Sequence, residues 1–127
     1  MINQPSPKDA LNHYYEKQDA ITRDSLLALK SIVLSVNNHI EHVRKFQIPF
    51  FCYKGFHLGF LWVHRKKILV GFVEDKKILT TSFVPQKKDK MSTIEIDPME
   101  DFPIDAILQK YKELIEKYDS FSKITNC

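Results

Sequence analysis

The sequence predicts an α+β domain: a small antiparallel sheet of four or five strands, with helices from both ends of the chain packed mainly on one face. Three observations carry this. Residues 48–78 form the only near-unbroken apolar stretch, in short β-branched and aromatic runs separated by charge, which is the pattern of strands. On either side, apolar residues recur at helical spacing: Ile21, Leu26, Leu29, Ile32, Val33 and Val36 before it, Ile104, Ile107, Leu108, Tyr111, Leu114, Ile115 and Tyr118 after it. The chain has 127 residues, 43% hydrophobic and 28% charged, so one domain over residues 1–127 buries an ordinary core.

Taken in order, Ser6 is a candidate N-cap and Pro7 a first helical residue, opening a helix to about Lys17 with an apolar stripe of Leu11, Tyr14 and Tyr15. A stronger helix spans about Ala20 to Val36. Asn37-Asn38 is expected to end it, because asparagine tolerates left-handed geometry. From His39 to Gln47 the apolar spacing is helical, but the β-branched content and the following Ile48-Pro49 favour extended chain near the end. Ile48 to Gly55 reads as a short strand and a turn, with Pro49 at a strand start, an edge or a bulge and Gly55 at positive φ.

The centre is a hairpin of about Phe56 to Val63 and Ile68 to Val73, with His64 to Lys67 as a charged tip. Strand period places Phe56, Leu58, Phe60 and Trp62 on one face and His57, Gly59, Leu61 and Val63 on the other. A two-residue turn at Arg65-Lys66 sets Phe60 opposite Gly71 and Gly59 opposite Phe72, so that each glycine is roofed by an aromatic ring. Arg-Lys is poor chemistry for a primed turn, and a longer loop remains an alternative. Both faces are apolar and both need cover: helices on one, and further chain, a second subunit or a ligand on the other.

Glu74 to Lys77 reads as a turn, Ile78 to Val84 as a loop with a short helical turn within it, and Pro85 to Lys90 as a basic loop. Ser92 to Ile96 alternates like a final strand, and residues 97–103 form a linker. The last helix runs from about Pro103 to Phe121, with acids before its start and lysines in its second half, as the helix dipole favours.

The run Ile48-Pro49-Phe50-Phe51-Cys52-Tyr53-Lys54-Gly55, followed by Leu61-Trp62-Val63, Gly71-Phe72-Val73-Glu74 and Ile94-Glu95-Ile96-Asp97-Pro98, resembles the YdhG-like family. That family is catalogued mainly as a domain of unknown function. The resemblance covers most of the chain. It implies a small α+β domain related in shape to frataxin, with an edge strand at residues 39–47. Some members carry an iron-chaperone label, and no settled catalytic residues come with the family.

No window approaches the ~20 apolar residues of a membrane span, and the polar first residues lack a signal-peptide core, so a cytoplasmic protein is expected. Net charge is +3 and the lysines are scattered over turns and helix surfaces, which argues against a nucleic-acid partner. The two cysteines, Cys52 and Cys127, make no disulfide framework, and Cys52 reads as a buried free thiol with no obvious histidine partner. The five histidines show no zinc-site spacing, and a straight strand sends His57 and His64 to opposite faces.

Catalytic motifs are missing: there is no Gly-x-Ser-x-Gly and no glycine-rich phosphate loop. The expectation is a non-enzymatic binding or interaction module without a cofactor. Its ligand, a small molecule or a protein, would sit at the second sheet face or its rim, with Phe51, Tyr53, Lys54, Trp62 and Phe72 as the candidate pocket. One alternative is an iron-handling accessory protein that uses Glu95, Asp97, Glu100, Asp101 and Asp105, since carboxylates suit hard cations and ferrous iron. Another is a homodimer that pairs the second face.

Overall fold

A computed structural model describes residues 7–79 and 87–125, with side chains from residue 8 to residue 122 within those limits. The expected Ser6 cap, residues 80–84 of the Ile78–Val84 loop and residues 85–86 of the basic loop lie outside the described residues, and Lys90 opens the last strand. The order is α1 (Pro7–Glu16), α2 (Ala20–Leu34), β1 (Ile40–Lys45), β2 (Ile48–Tyr53), β3 (Phe56–His64), β4 (Lys67–Glu74), a 3-10 turn (Lys76–Ile78), β5 (Lys90–Ile96) and α3 (Ile104–Thr125). The five strands form one antiparallel sheet in chain order, β1-β2-β3-β4-β5. Among the described residues no helix is long and apolar enough to cross a membrane.

Each helix turns one apolar stripe to the same side of the sheet. Leu11, Tyr14 and Tyr15 of α1, Leu26, Leu29 and Val33 of α2, and Ile107, Tyr111 and Tyr118 of α3 join Phe51, Leu58, Leu61, Ile68 and Val70 in one core. Asp19 caps α2: its carboxylate accepts the Thr22 N–H at 2.8 Å, and that bond holds its pKa below the usual carboxylate range. The far end of α2 differs from expectation. The helix stops at Leu34 with Ser35 in right-handed geometry, and neither Asn37 nor Asn38 has positive φ. Asn37 instead turns the chain by accepting the His39 N–H at 2.8 Å.

Three two-residue turns join β1 to β2, β2 to β3 and β3 to β4. All six central residues have positive φ: Phe46 and Gln47, Lys54 and Gly55, Arg65 and Lys66. This is the primed geometry that matches strand twist. It holds even at Phe46-Gln47 and Arg65-Lys66, where neither residue is glycine or asparagine. Strand pairing therefore imposes a conformation that these side chains resist.

The central register is as expected, with Gly59 opposite Phe72 and Phe60 opposite Gly71. A Cβ at Gly71 would run into the Phe60 ring, so that ring roofs the glycine. Gly59 has a different roof. A Cβ there would meet the Gly71 carbonyl and the Tyr111 side chain, whose hydroxyl donates to the Gly71 carbonyl at 2.6 Å.

The strict alternation read along β3 is corrected by a bulge. Phe51 pairs with Gly59 but Cys52 pairs with His57, so Leu58 is an extra residue. Phe56 and Leu58 consequently face the helices, while Phe60 lies on the other side with Phe50 and Val73. The bulge also puts His57 and His64 on one face, since His57 meets Phe50 and His64 meets Trp62.

Candidate functional site

The helix-free face carries a small second core of Phe50, Phe60 and Val73, with Val43, Ile48 and Cys52 packed around it. No helical residue among those described belongs to it. At one end of this face β2 and β3 part. Pro49 has no N–H to give to a neighbouring strand, and the last β2–β3 pair is Phe50 with Phe60. The Tyr14 hydroxyl moves into the gap and accepts the Val63 N–H at 3.0 Å. Burial raises that phenol above its ordinary range. The gap is an open cleft of about 550 Å³ whose lining includes Tyr14, Lys17, Gln18, Phe46, Gln47 and Trp62. Phe46 is 68% exposed and Trp62 is 42% exposed.

The five residues expected to line one pocket are divided by the sheet. Phe51, Tyr53 and Phe72 are buried on the helix side. Phe51 stacks on His42 at 4.5 Å, and the Tyr53 hydroxyl donates to Asp119 Oδ1 at 2.7 Å. Lys54 sits in the β2–β3 turn with its ammonium 5.2 Å from the centre of the Tyr53 ring. Trp62 is on the opposite face and reaches the cleft. In the acidic set, Glu95, Asp97 and Glu100 all act on Lys67. Asp97 holds Lys67 at 2.6 Å and accepts the Met99 N–H at 2.9 Å, which keeps its pKa below the usual carboxylate range. Glu95, Glu100, Asp101 and Asp105 are exposed.

At the other end of the helix-free face is a grouping that sequence spacing conceals. His57, Asp75 and Asp89 bring three ligand atoms within 4.8 Å of one another, and no other such trio occurs among the described residues. Three separate segments deliver them: the start of β3, the exit of β4 and the approach to β5. Asp75 is 2% exposed. One of its oxygens accepts the His57 N–H at 2.8 Å and the other accepts the Lys77 N–H at 2.9 Å. Asp89 accepts the Lys76 N–H at 2.8 Å through one oxygen, and its other oxygen lies 2.7 Å from His57 Nδ1. Burial alone would raise Asp89, but the bonds from His57 and Lys76 outweigh it and hold the carboxyl below its usual range.

Tyr118 locks the grouping from beneath. Its hydroxyl accepts the Asp75 N–H at 3.0 Å, and its proton serves the carbonyls of His57 and Val73, each 2.6 Å away. Burial raises this phenol strongly, so it stays protonated and able to donate. Cys52 is the strand partner of His57 on the same face, a proximity that local spacing does not reveal. Its thiol is pushed up by burial, the opposite of what an activated nucleophile needs.

No family model matches the chain, and no curated protein matches it significantly. Among solved structures it is similar to the crystal structure of a DUF1801 family protein, YdhG, from Bacillus subtilis. The TM-score is 0.62 at 16% identity, over 87% of this chain and 93% of that one. Likeness at that identity speaks to the fold: in architecture, this chain has the YdhG-like α+β fold of the DUF1801 family protein.

Proposed function

We propose that the chain is a cytoplasmic, non-enzymatic binding module whose ligand occupies the cleft between the Phe46-Gln47 turn and β3. One observation carries the reading. Two of the largest apolar side chains, Phe46 and Trp62, are left in water at the walls of an open cleft. Exposed aromatics cost solvation that folding would otherwise recover, and a bound ring recovers it. Phe46 is also held in left-handed geometry, a strained placement of the kind that clusters at ligand clamps. Lys17, Gln18 and Gln47 give the cleft one cation and two amides. The ligand class that fits is a small flat ring system bearing a polar or anionic group.

Trp62 is the only tryptophan, so its emission reports on the cleft. Flat aromatic and heteroaromatic metabolites should be titrated into the full chain while Trp62 emission and melting temperature are followed together. A ligand should change both saturably, and Phe46→Ser should abolish the change without lowering the melting temperature of the free protein. A panel in which no compound moves both signals rejects the cleft as a small-molecule site. Light scattering at high concentration separates the homodimer reading, because a dimer through this face predicts twice the chain mass and its loss in Trp62→Ser. In the iron-handling alternative the ion would engage Glu95, Asp97, Glu100, Asp101 and Asp105, and it would have to displace Lys67 from Asp97.

A further inference from the structure

The geometry points to a divalent-cation site formed by His57, Asp75 and Asp89, which shares no lining residue with the aromatic cleft, although the Phe46 ring stands edge-on to His57 at 6.3 Å, and which lies apart from the acidic residues around Asp97. The donor set is one imidazole nitrogen and two carboxylates, which suits first-row ions such as Mn²⁺, Fe²⁺, Co²⁺ and Zn²⁺.

Charge is the first argument. Two carboxylates sit together, one of them almost wholly buried. Among the described residues neither pairs with a lysine or arginine side chain: Lys54 goes to Asp119, Lys67 to Asp97 and Lys117 to Glu74. Lys77, two residues after Asp75, turns its ammonium to the Gly55 carbonyl at 3.1 Å. The one cationic group the cluster can muster is the His57 ring. With a neutral imidazole the trio carries two negative charges, which a divalent ion cancels.

Pre-organisation is the second. Both Asp75 oxygens are already oriented by backbone N–H groups, and Asp89 is held by the Lys76 N–H. Each carboxylate oxygen keeps a second lone pair for an ion. Amides that fix a carboxylate in this way are the outer support that metal sites need. Tyr118 fixes the strand ends that carry His57 and Asp75.

Distance is the third. Neighbouring ligands on an ion with bonds of about 2.1 Å stand about 3 Å apart. His57 Nδ1 and Asp89 Oδ2 are 2.7 Å apart and already share one proton, so an ion that replaces that proton needs the Asp89 carboxylate to turn aside from the Nδ1 lone pair while staying beside it. Part of the His57 ring and of Asp89 remains exposed, which leaves an entry path and room for water ligands. Cys52, although opposite His57, is outside the trio of mutually close atoms.

The test uses the full chain with Co²⁺, Mn²⁺ and Zn²⁺, followed by calorimetry and, for Co²⁺, by visible absorption. One equivalent should bind saturably and raise the melting temperature. His57→Gln and Asp89→Asn should each weaken binding about 10- to 100-fold. Glu95→Gln combined with Asp97→Asn should leave the titration unchanged, as should Trp62→Ser. Absence of saturable binding for all three ions overturns the proposal. So does binding that survives His57→Gln and Asp89→Asn but is lost with Glu95 and Asp97. Should the His57 and Asp89 variants fail to fold, Mn²⁺ broadening of the His57 ring resonances in the unaltered chain decides. Selective broadening supports the site, and unbroadened His57 signals at saturating Mn²⁺ reject it.

Discussion

Leu61 and Trp62 are neighbours in β3, yet they live in different solvents. Leu61 is fully buried beneath the helices, while Trp62 is 42% exposed on the helix-free side. The contrast holds for the two faces as wholes. The helix side collects apolar stripes from all three helices and seals its polar atoms with tyrosine hydroxyls: Tyr111 to the Gly71 carbonyl, Tyr118 to those of His57 and Val73, Tyr14 to the Val63 N–H. The other side has a core of three buried residues, bordered by a cleft at one end and the His57 grouping at the other. One face is built for stability and the other holds the features a ligand would use.

Four measurements sharpen or break that contrast. Leu61→Ala removes a fully buried side chain and should lower unfolding free energy by about 2–5 kcal/mol in urea denaturation. A loss under 1 kcal/mol would mean that the helix-covered side is not the stabilising one.

Acid should act through the same face. His42 is half-buried between the Tyr15 hydroxyl at 2.7 Å and the Phe50 carbonyl at 3.0 Å. A carbonyl only accepts, so Nδ1 donates to Phe50 and Nε2 accepts from Tyr15. Burial lowers its pKa from 6.5 to about 4. The unfolded chain therefore takes up this proton first as pH falls. His42's contribution is complete above pH 6.5 and is lost progressively toward pH 4, at about 1–2 kcal/mol after allowance for partial exposure. Urea midpoints at pH 7 and pH 4.5 measure it, and His42→Gln should flatten the difference.

Relief of turn strain is smaller and opposite in sign. Replacing Arg65-Lys66 by Asn-Gly supplies residues that accept positive φ and should raise stability by about 1 kcal/mol. Smallest of all, Trp62→Ala should change stability by no more than about 0.5 kcal/mol while abolishing cleft binding. A loss of several kcal/mol would make Trp62 a core residue and remove the main support for the cleft.

Much of the fold was legible because hydrophobic periodicity is local. The stripes of α2 and α3, the later strands and the Phe60–Gly71 register follow from spacing and from the volume a glycine leaves, whereas β1, whose apolar spacing is helical, rests on the family resemblance. The family likeness quoted for Ile48 to Gly55 led to the same architecture. What escaped was whatever depends on a count shifted by one residue. The bulge at Leu58 reverses the face of everything before it in β3, so Phe56 and Leu58 joined the helix side and His57 the other. Phe51, Tyr53 and Phe72 look like pocket walls in the sequence because an aromatic in a strand has the same pattern whether a helix or a ligand lies above it.

The sequence by itself determined which segments are helix and strand, that the middle of the chain needs cover on both sides, and where the glycines must face rings. Tertiary structure alone decided what meets what. His57, Asp75 and Asp89 are 18 and 14 residues apart along the chain, and no pattern of local spacing couples them. They converge because a turn at Gly55, the end of β4 and the start of β5 reach the same end of one sheet. Backbone pairing sets that coincidence over long range, whereas side-chain periodicity records only which way each residue points.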